Sequence, residues 1–173
     1  VREGSKFLKT MDSHLRFMVY GDDNLISVRR DSVFSDVLTQ DNYTKAFEAM
    51  GFEYTDESKS GATIDQDRSI TDVSFLKRKW ARTSLDSRRM YLSPLAIETI
   101  MESIQWTKRK DYSLDYVRDN SVNMLQELSQ HDKAVFDKWS PLIINACRER
   151  LGFSPVPNTY DECQAVVLAR DSF

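Results

Sequence analysis

The sequence predicts an α+β fold in two parts: a mixed α and β segment to about residue 90, then an all-helical segment. Three observations predict it. The runs LRFMVY (residues 15–20) and NLISV (24–28) are β-branched and aromatic and stand on either side of Gly21-Asp22-Asp23, which signals an antiparallel hairpin. Behind Ser93-Pro94, an N-cap and first-turn pair, Ile97, Ile100, Met101 and Ile104 recur at i, i+3, i+4 and i+7, one face of a helix. A chain of 173 residues that is 40% hydrophobic and 29% charged has enough apolar material for a packed core, which excludes a largely disordered protein.

The elements follow in order. After the hairpin, SVFSDVL (32–38) and DNYTKAFEAMG (41–51) read as helical, with Asp41 or Asn42 as cap, Tyr43, Phe47 and Met50 on one face, and Gly51 as the stop. TDVSFLKRKW (71–80) reads as a strand, since Val73 and Phe75 alternate with polar neighbours; Phe75 and Leu76 are assigned to the core. The helix after Pro94 should reach about Thr107, with Trp106 a core aromatic. A second helix is predicted from Ser113 to Gln130 with Leu114, Val117, Met124, Leu125 and Leu128 inward, and a third from Asp132 with Val135, Phe136 and Trp139 inward. Ser140-Pro141 should bend or restart that helix before Gly152. SPVPN is an extended linker, and Thr159 to Glu162 is a capping box, T-x-x-E, ahead of a short apolar helix around Val166 to Leu168.

No run approaches the roughly 18 consecutive apolar residues of a membrane span, and the N-terminal VREGSKFLKT is not a signal peptide, so the chain reads as intracellular. It also reads as a fragment or processed piece, because it starts abruptly without an initiator methionine. Cys147 and Cys163, with no second pair of ligands, are reduced packing thiols rather than a zinc site; His14 and His131 are structural or exposed. The formal net charge of −3 argues against a generic nucleic-acid-binding domain, yet Phe75 to Lys110 holds nine Lys or Arg against three acids. That +6 segment leaves −9 for the rest and suggests one surface that meets an anion, although charge runs are more often merely solvated faces.

Asp22 and Asp23 are the chemically pointed residues. Two carboxylates side by side at a tight turn repel each other unless a cation sits there, and a hard divalent ion such as Mg²⁺ takes such oxygen ligands while keeping waters and substrate phosphates in its shell. Gly21 lets the backbone turn, and the strands on either side fix the carboxylates. Gly-Asp-Asp also makes an ordinary turn, and by average residue usage the triplet arises by chance in about a few per cent of chains this long, Tyr-Gly-Asp-Asp in well under about one per cent.

YGDDN between two apolar strands resembles motif C of the RNA-dependent RNA polymerases of picornavirus-like positive-strand RNA viruses. YTDESKSG (Tyr54 to Gly61) resembles their motif D, FLKRKW (Phe75 to Trp80) their motif E, and ESIQWTK (Glu102 to Lys108) a thumb segment, all in the family's order. The asparagine after the acids is similar to insect-infecting members, the dicistroviruses and iflaviruses. The resemblance implies the C-terminal part of a polymerase palm over residues 1–90 and a helical thumb over 91–173. It implies Asp22 as principal and Asp23 as secondary ligand of Mg²⁺, with Mn²⁺ a substitute, supported by Gly21 and Asn24 in the turn. Lys59 aligns with the lysine that gives a proton to the leaving pyrophosphate; a lysine between small residues on a loop suits that work. Lys77 and Arg78 would grip the primer backbone, in agreement with the basic block, and Arg118 and Asn123 would face the product duplex.

The implied partners are template-primer RNA, nucleoside triphosphates, the remaining palm and fingers of the same polymerase, and other viral replication proteins. The implied location is the host cytoplasm at membrane-associated replication complexes. The second metal-binding aspartate of motif A, the ribose-sensing motif B and the fingers are not found, so the 173 residues should not polymerise RNA alone. Three rival readings remain. One is a calcium-binding module, since Asp56, Ser58, Ser60, Gly61 and Asp67 fall at positions 1, 3, 5, 6 and 12 of an EF-hand-like loop. It is weakened by Thr63 where an apolar residue belongs. The others are a reverse transcriptase palm and thumb, and a protein-interaction module.

Overall fold

The computed structural model describes residues 10–32, 34–55, 57, 59, 68–83, 90–105 and 113–170. The chain divides into two compact units between Leu76 and Lys77. That division falls ahead of residue 90 because the basic segment bonds forward in the chain: Arg78 and Leu95 form an antiparallel bridge, and the Lys79 N–H donates to the Pro94 carbonyl at 3.1 Å.

In the first unit, helical residues 10–14 lead into β1 (Leu15–Tyr20), which pairs antiparallel with β2 (Asp23–Val28) from Leu15 opposite Val28 to Tyr20 opposite Asp23. β2 starts one residue before its apolar run, since Asp23 completes the ladder with Tyr20. Residues 34–38 form turns rather than the helix read from SVFSDVL. Ser32 diverts them: its hydroxyl accepts from the Phe34 N–H at 3.1 Å and its carbonyl from Ser35 Oγ at 2.9 Å, a local alternative to helical bonding. Helix α1 (Gln40–Ala49) is capped by Thr39, not by Asp41 or Asn42, through acceptance from the Asn42 N–H. Gly51, at φ +83°, ends it as predicted, with Phe52 N–H bonding to Phe47 carbonyl at 2.9 Å and Gly51 N–H to Glu48 carbonyl at 2.9 Å.

Residues 71–80 are not one strand. A 3-10 turn over Ile70–Asp72, closed by a Ser69–Asp72 capping box, is followed by a sharp reversal in which Leu76 and Lys77 have φ of +53° and +62°. Leu76 is consequently exposed and Phe75 only half-buried, so neither is a core anchor.

The second unit opens with a small sheet, β3 (Ala81–Thr83) against β4 (Met90–Leu92). Helix α2 (Ile97–Glu102) continues into a 3-10 turn over Ser103–Gln105; Trp106 lies outside the described residues. Helices α3 (Leu114–Leu128), α4 (Lys133–Leu151) and α5 (Tyr160–Arg170) complete it. Ile100, Met124, Leu125, Leu128, Phe136, Ile143, Cys147 and Cys163 form its core, with Ile97, Met101, Ile104 and Trp139 packed against it. Leu114, predicted inward, is half exposed because it opens α3 beyond the core. α4 runs through Pro141 without restarting; Pro141 and Asp137 are both exposed, so water can satisfy the Asp137 carbonyl that lost its N–H partner. Gly152 ends α4 at φ +70°. Both cysteines are free and buried, and burial pushes the Cys163 thiol up to about 11. Among the described residues no helix is long and apolar enough to cross a membrane.

The capping box of α5 is formed: Thr159 Oγ1 donates to the Glu162 carboxylate at 2.7 Å and accepts from the Glu162 N–H at 3.4 Å. The Thr159 hydroxyl first, and the Thr159 N–H at 3.4 Å second, donate to the carboxylate and hold the Glu162 pKa below its ordinary value. Its contribution is therefore complete above the unfolded carboxyl pKa of about 4.3 and lost as pH falls through the lower folded value. Glu162→Gln should flatten the acid limb of stability below about pH 4.3, read by thermal melts across pH. Leu128→Ala, at a fully enclosed position, should cost about 2–5 kcal/mol in urea unfolding.

Candidate active site

The link between β1 and β2 is the two-residue turn Gly21-Asp22. Gly21 has φ +61° while Asp22 keeps a negative φ, the signature of a type II′ turn, which takes glycine at its first central position. A Cβ at Gly21 would meet nothing within 4 Å, so the requirement is torsional; an L-residue in this region costs roughly 1–2 kcal/mol. The turn presents Asp22 at the tip and Asp23 as first residue of β2, both exposed. They offer adjacent hard oxygen donors. Among the described residues no group of three or more His, Cys, Asp or Glu is placed to hold a metal, so the pair amounts to a partial shell. Such a shell fits an ion that keeps waters and phosphate oxygens as its other ligands.

Asn24, next along β2, is half-buried, and its Oδ1 accepts a hydrogen bond from the Tyr54 hydroxyl at 3.1 Å. Tyr54 in turn stacks on Phe47 of α1 with centroids 4.9 Å apart and lies beside Tyr43 at 6.2 Å, while Phe52 meets Phe47 edge-on. Burial pushes the Tyr54 pKa up, with the Asn24 bond opposing, so the hydroxyl stays a neutral donor at physiological pH. The carboxylate turn is thereby tied to an aromatic cluster that follows α1. Sequence reading put Asn24 in a supporting role but missed Tyr54; the signal was the aromatic face of Tyr43 and Phe47 continuing as Phe52 and Tyr54 past the Gly51 stop.

Lys59 is exposed, with φ +51°. Most of its surroundings lie outside the described residues, as do Asp56, Ser58, Ser60, Gly61 and Asp67 of the EF-hand-like series.

In the second unit the basic segment has two faces. Lys77, Lys79 and Arg82 are exposed, while Arg78 and Trp80 are half-buried. Arg78, read from sequence as a second primer grip, is engaged within its own unit. Its guanidinium donates to both oxygens of Glu127 on α3, at 2.9 and 2.8 Å, and to the Ser93 carbonyl at 2.7 Å. Gln130 Nε2 donates to Glu127 at 2.8 Å, and Gln130 Oε1 accepts from the Ser93 N–H at 3.1 Å, closing the network. Arg88, Arg89 and Lys108 to Lys110 of the block lie outside the described residues.

On α3, Arg118 pairs with Asp115 at 3.2 Å and its guanidinium lies 5.2 Å over the Phe153 ring. Asn123 is exposed. Five residues apart, the two point about 140° away from each other around the helix, so the structure does not bring them to one face.

Comparison with known proteins bears on what this arrangement belongs to. A family model described as viral RNA-dependent RNA polymerase matches residues 1–149. The replicase polyprotein of acute bee paralysis virus is 36% identical over 155 residues, 89% of this chain, and that of Drosophila C virus is 32% identical over 139 residues, 80% of it. The chain spans 8% of the length of each of these curated relatives. Among solved structures, a Sicinivirus 3Dpol RNA-dependent RNA polymerase superposes with a TM-score of 0.67 at 21% identity, covering 91% of this chain and 31% of that one, which speaks to the fold. With the acid-tipped hairpin in place and a family match over most of its length, the chain belongs to the viral RNA-dependent RNA polymerases, alongside the replicases of insect dicistroviruses.

Proposed function

We propose that the chain is the C-terminal palm and thumb portion of a polymerase that carries out template-directed nucleotidyl transfer on RNA, with residues 1–90 in the palm and 91–173 in the thumb. The observation that carries this reading is the pair Asp22 and Asp23 on a two-residue turn between paired strands, in a chain of the viral polymerase family. Asp22 is the principal and Asp23 the secondary carboxylate for Mg²⁺, or Mn²⁺ in its place. When bound, a pair of such ions activates the attacking oxygen and stabilises the leaving one.

The chain's own groups do the remaining work. The type II′ turn holds the two carboxylates at fixed torsions, and Asn24, anchored by Tyr54, keeps the first residues of β2 in register. Lys59 gives a proton to the pyrophosphate oxygen as it leaves. Lys77 meets a phosphate of the primer strand, fixing its position without reading its sequence. Two adjacent carboxylates are too few to hold two ions, so the 173 residues are inactive alone; the remaining palm and fingers supply the other ligands and the nucleotide site. The partners are template-primer RNA, nucleoside triphosphates and other replication proteins, in host cytoplasm at membrane-associated complexes.

The test is Mg²⁺-dependent primer extension by a longer polymerase chain containing these residues. Asp22→Ala, at matched folding, should reduce extension to background, and activity unchanged by that substitution would overturn the proposal. Lys59→Leu should slow single-nucleotide addition by about 10²-fold while leaving RNA affinity intact. The isolated 173 residues should give no extension.

A further inference from the structure

Three consecutive cations, Lys77, Arg78 and Lys79, sit where the chain leaves a sharp reversal, with Lys77 still within the turn. The middle one is committed to its own fold. Arg78 makes a two-pronged ion pair with Glu127, adds the Ser93 carbonyl, and bridges Leu95 through its backbone. A planar guanidinium matched to a carboxylate in this way fixes direction as well as distance, which a lysine cannot do. Its neighbours Lys77 and Lys79 are exposed, and Lys77 is held in a left-handed conformation that an L-residue adopts only when its surroundings dictate it.

We infer that Arg78 is a positioning residue of the RNA grip rather than an RNA contact: by clamping the basic segment to the last turn of α3, it sets Lys77 and Lys79 outward in a fixed register for successive phosphates. The inference rests on the proposed polymerase reading and assigns to Glu127, an acid with no place in that reading, an indirect part in holding RNA. Gln130 and Ser93 share the clamp, since each bonds to the other and Gln130 also bonds to Glu127.

The experiment measures binding of a fluorescent primer-template RNA by the longer polymerase chain across salt concentrations, with primer extension alongside. The variants are Arg78→Gln, Arg78→Lys, Glu127→Gln, the Arg78→Gln/Glu127→Gln pair and Lys77→Gln. As a positioning residue, Arg78 should give equal losses of RNA affinity in Arg78→Gln and Glu127→Gln, about tenfold each. The double variant should be no worse than either by more than about threefold. Arg78→Lys should match Arg78→Gln, because charge without the two-pronged geometry does not restore the clamp. Lys77→Gln should lower the salt slope by about one. The inference is overturned if Glu127→Gln leaves binding unchanged or tighter while Arg78→Gln alone lowers the salt slope, with Arg78→Lys close to wild type; Arg78 is then itself the phosphate contact. Urea unfolding of each variant separates loss of fold from loss of grip: an affinity loss that disappears when binding is corrected for the folded fraction also overturns it. Wild-type extension abolished by Asp22→Ala but accompanied by an additive Arg78–Glu127 cycle would remove only this inference. Absence of RNA binding and extension in the folded wild type would remove the polymerase reading and this inference with it.

Discussion

The last turn of α3 is the constraint on which the second unit depends. Leu125 and Leu128 are fully enclosed there, and the polar groups around them are carried inward, where most find partners within the protein; the buried Gln126 Oε1 is an exception among the described residues. Glu127 takes Arg78, Gln130 takes Ser93, and the His131 ring nitrogen meets the Leu95 carbonyl at 2.7 Å. From the opposite side of the chain order, Tyr160 donates to the His131 carbonyl at 3.1 Å and Gln164 to the Ser129 carbonyl at 3.3 Å. Apolar packing alone tolerates sliding between helices; a set of directed bonds at one turn does not. The strand segment before α2 and the helix that ends the described chain are both keyed to this turn.

The first unit is held by a different balance. α1 has no buried residue, and Phe17, Met18, Val19 and Tyr20 of β1 are exposed. An isolated two-stranded ribbon is marginal in water, and its stability here comes from the turn, the aromatic cluster around Phe47 and the Tyr54–Asn24 bond. A continuous apolar run such as FMVY (17–20) is the pattern of a strand covered on both faces, which accords with the proposed placement of the hairpin beside a remaining palm. The turn proposed to carry the chemistry thus sits on the less self-sufficient unit and the lysines proposed to meet phosphate on the better packed one.

How much of this was legible follows from the range of the interactions. The hairpin, the Gly51 and Gly152 stops, the α5 capping box and the apolar face of α3 at Met124, Leu125 and Leu128 are written in local pattern, and the structure has them. SVFSDVL failed because Ser32 bonds to its own neighbours, a competition that helical periodicity does not register. The strand predicted through 71–80 failed because Leu76 and Lys77 adopt positive φ without glycine, for which sequence carries no mark. Arg78 was read as a phosphate contact because its charge stands in a basic run, and nothing local marks it as different from Lys77 and Lys79. What sequence could not supply was that residues 49 apart meet.

The turn at Gly21 carries a consequence about chirality. Because a Cβ built there meets open space and only the sign of φ is demanded, position 21 is selected by handedness and not by the size of an L-residue's Cβ. A mirror-image D-alanine would meet that torsion freely and would narrow the unfolded ensemble relative to glycine, whereas its L-counterpart would strain the tip on which both carboxylates stand. Among genetically encoded residues only the achiral one meets the torsion freely, so the placement of the two acids is conditioned by the one neighbour that has no side chain.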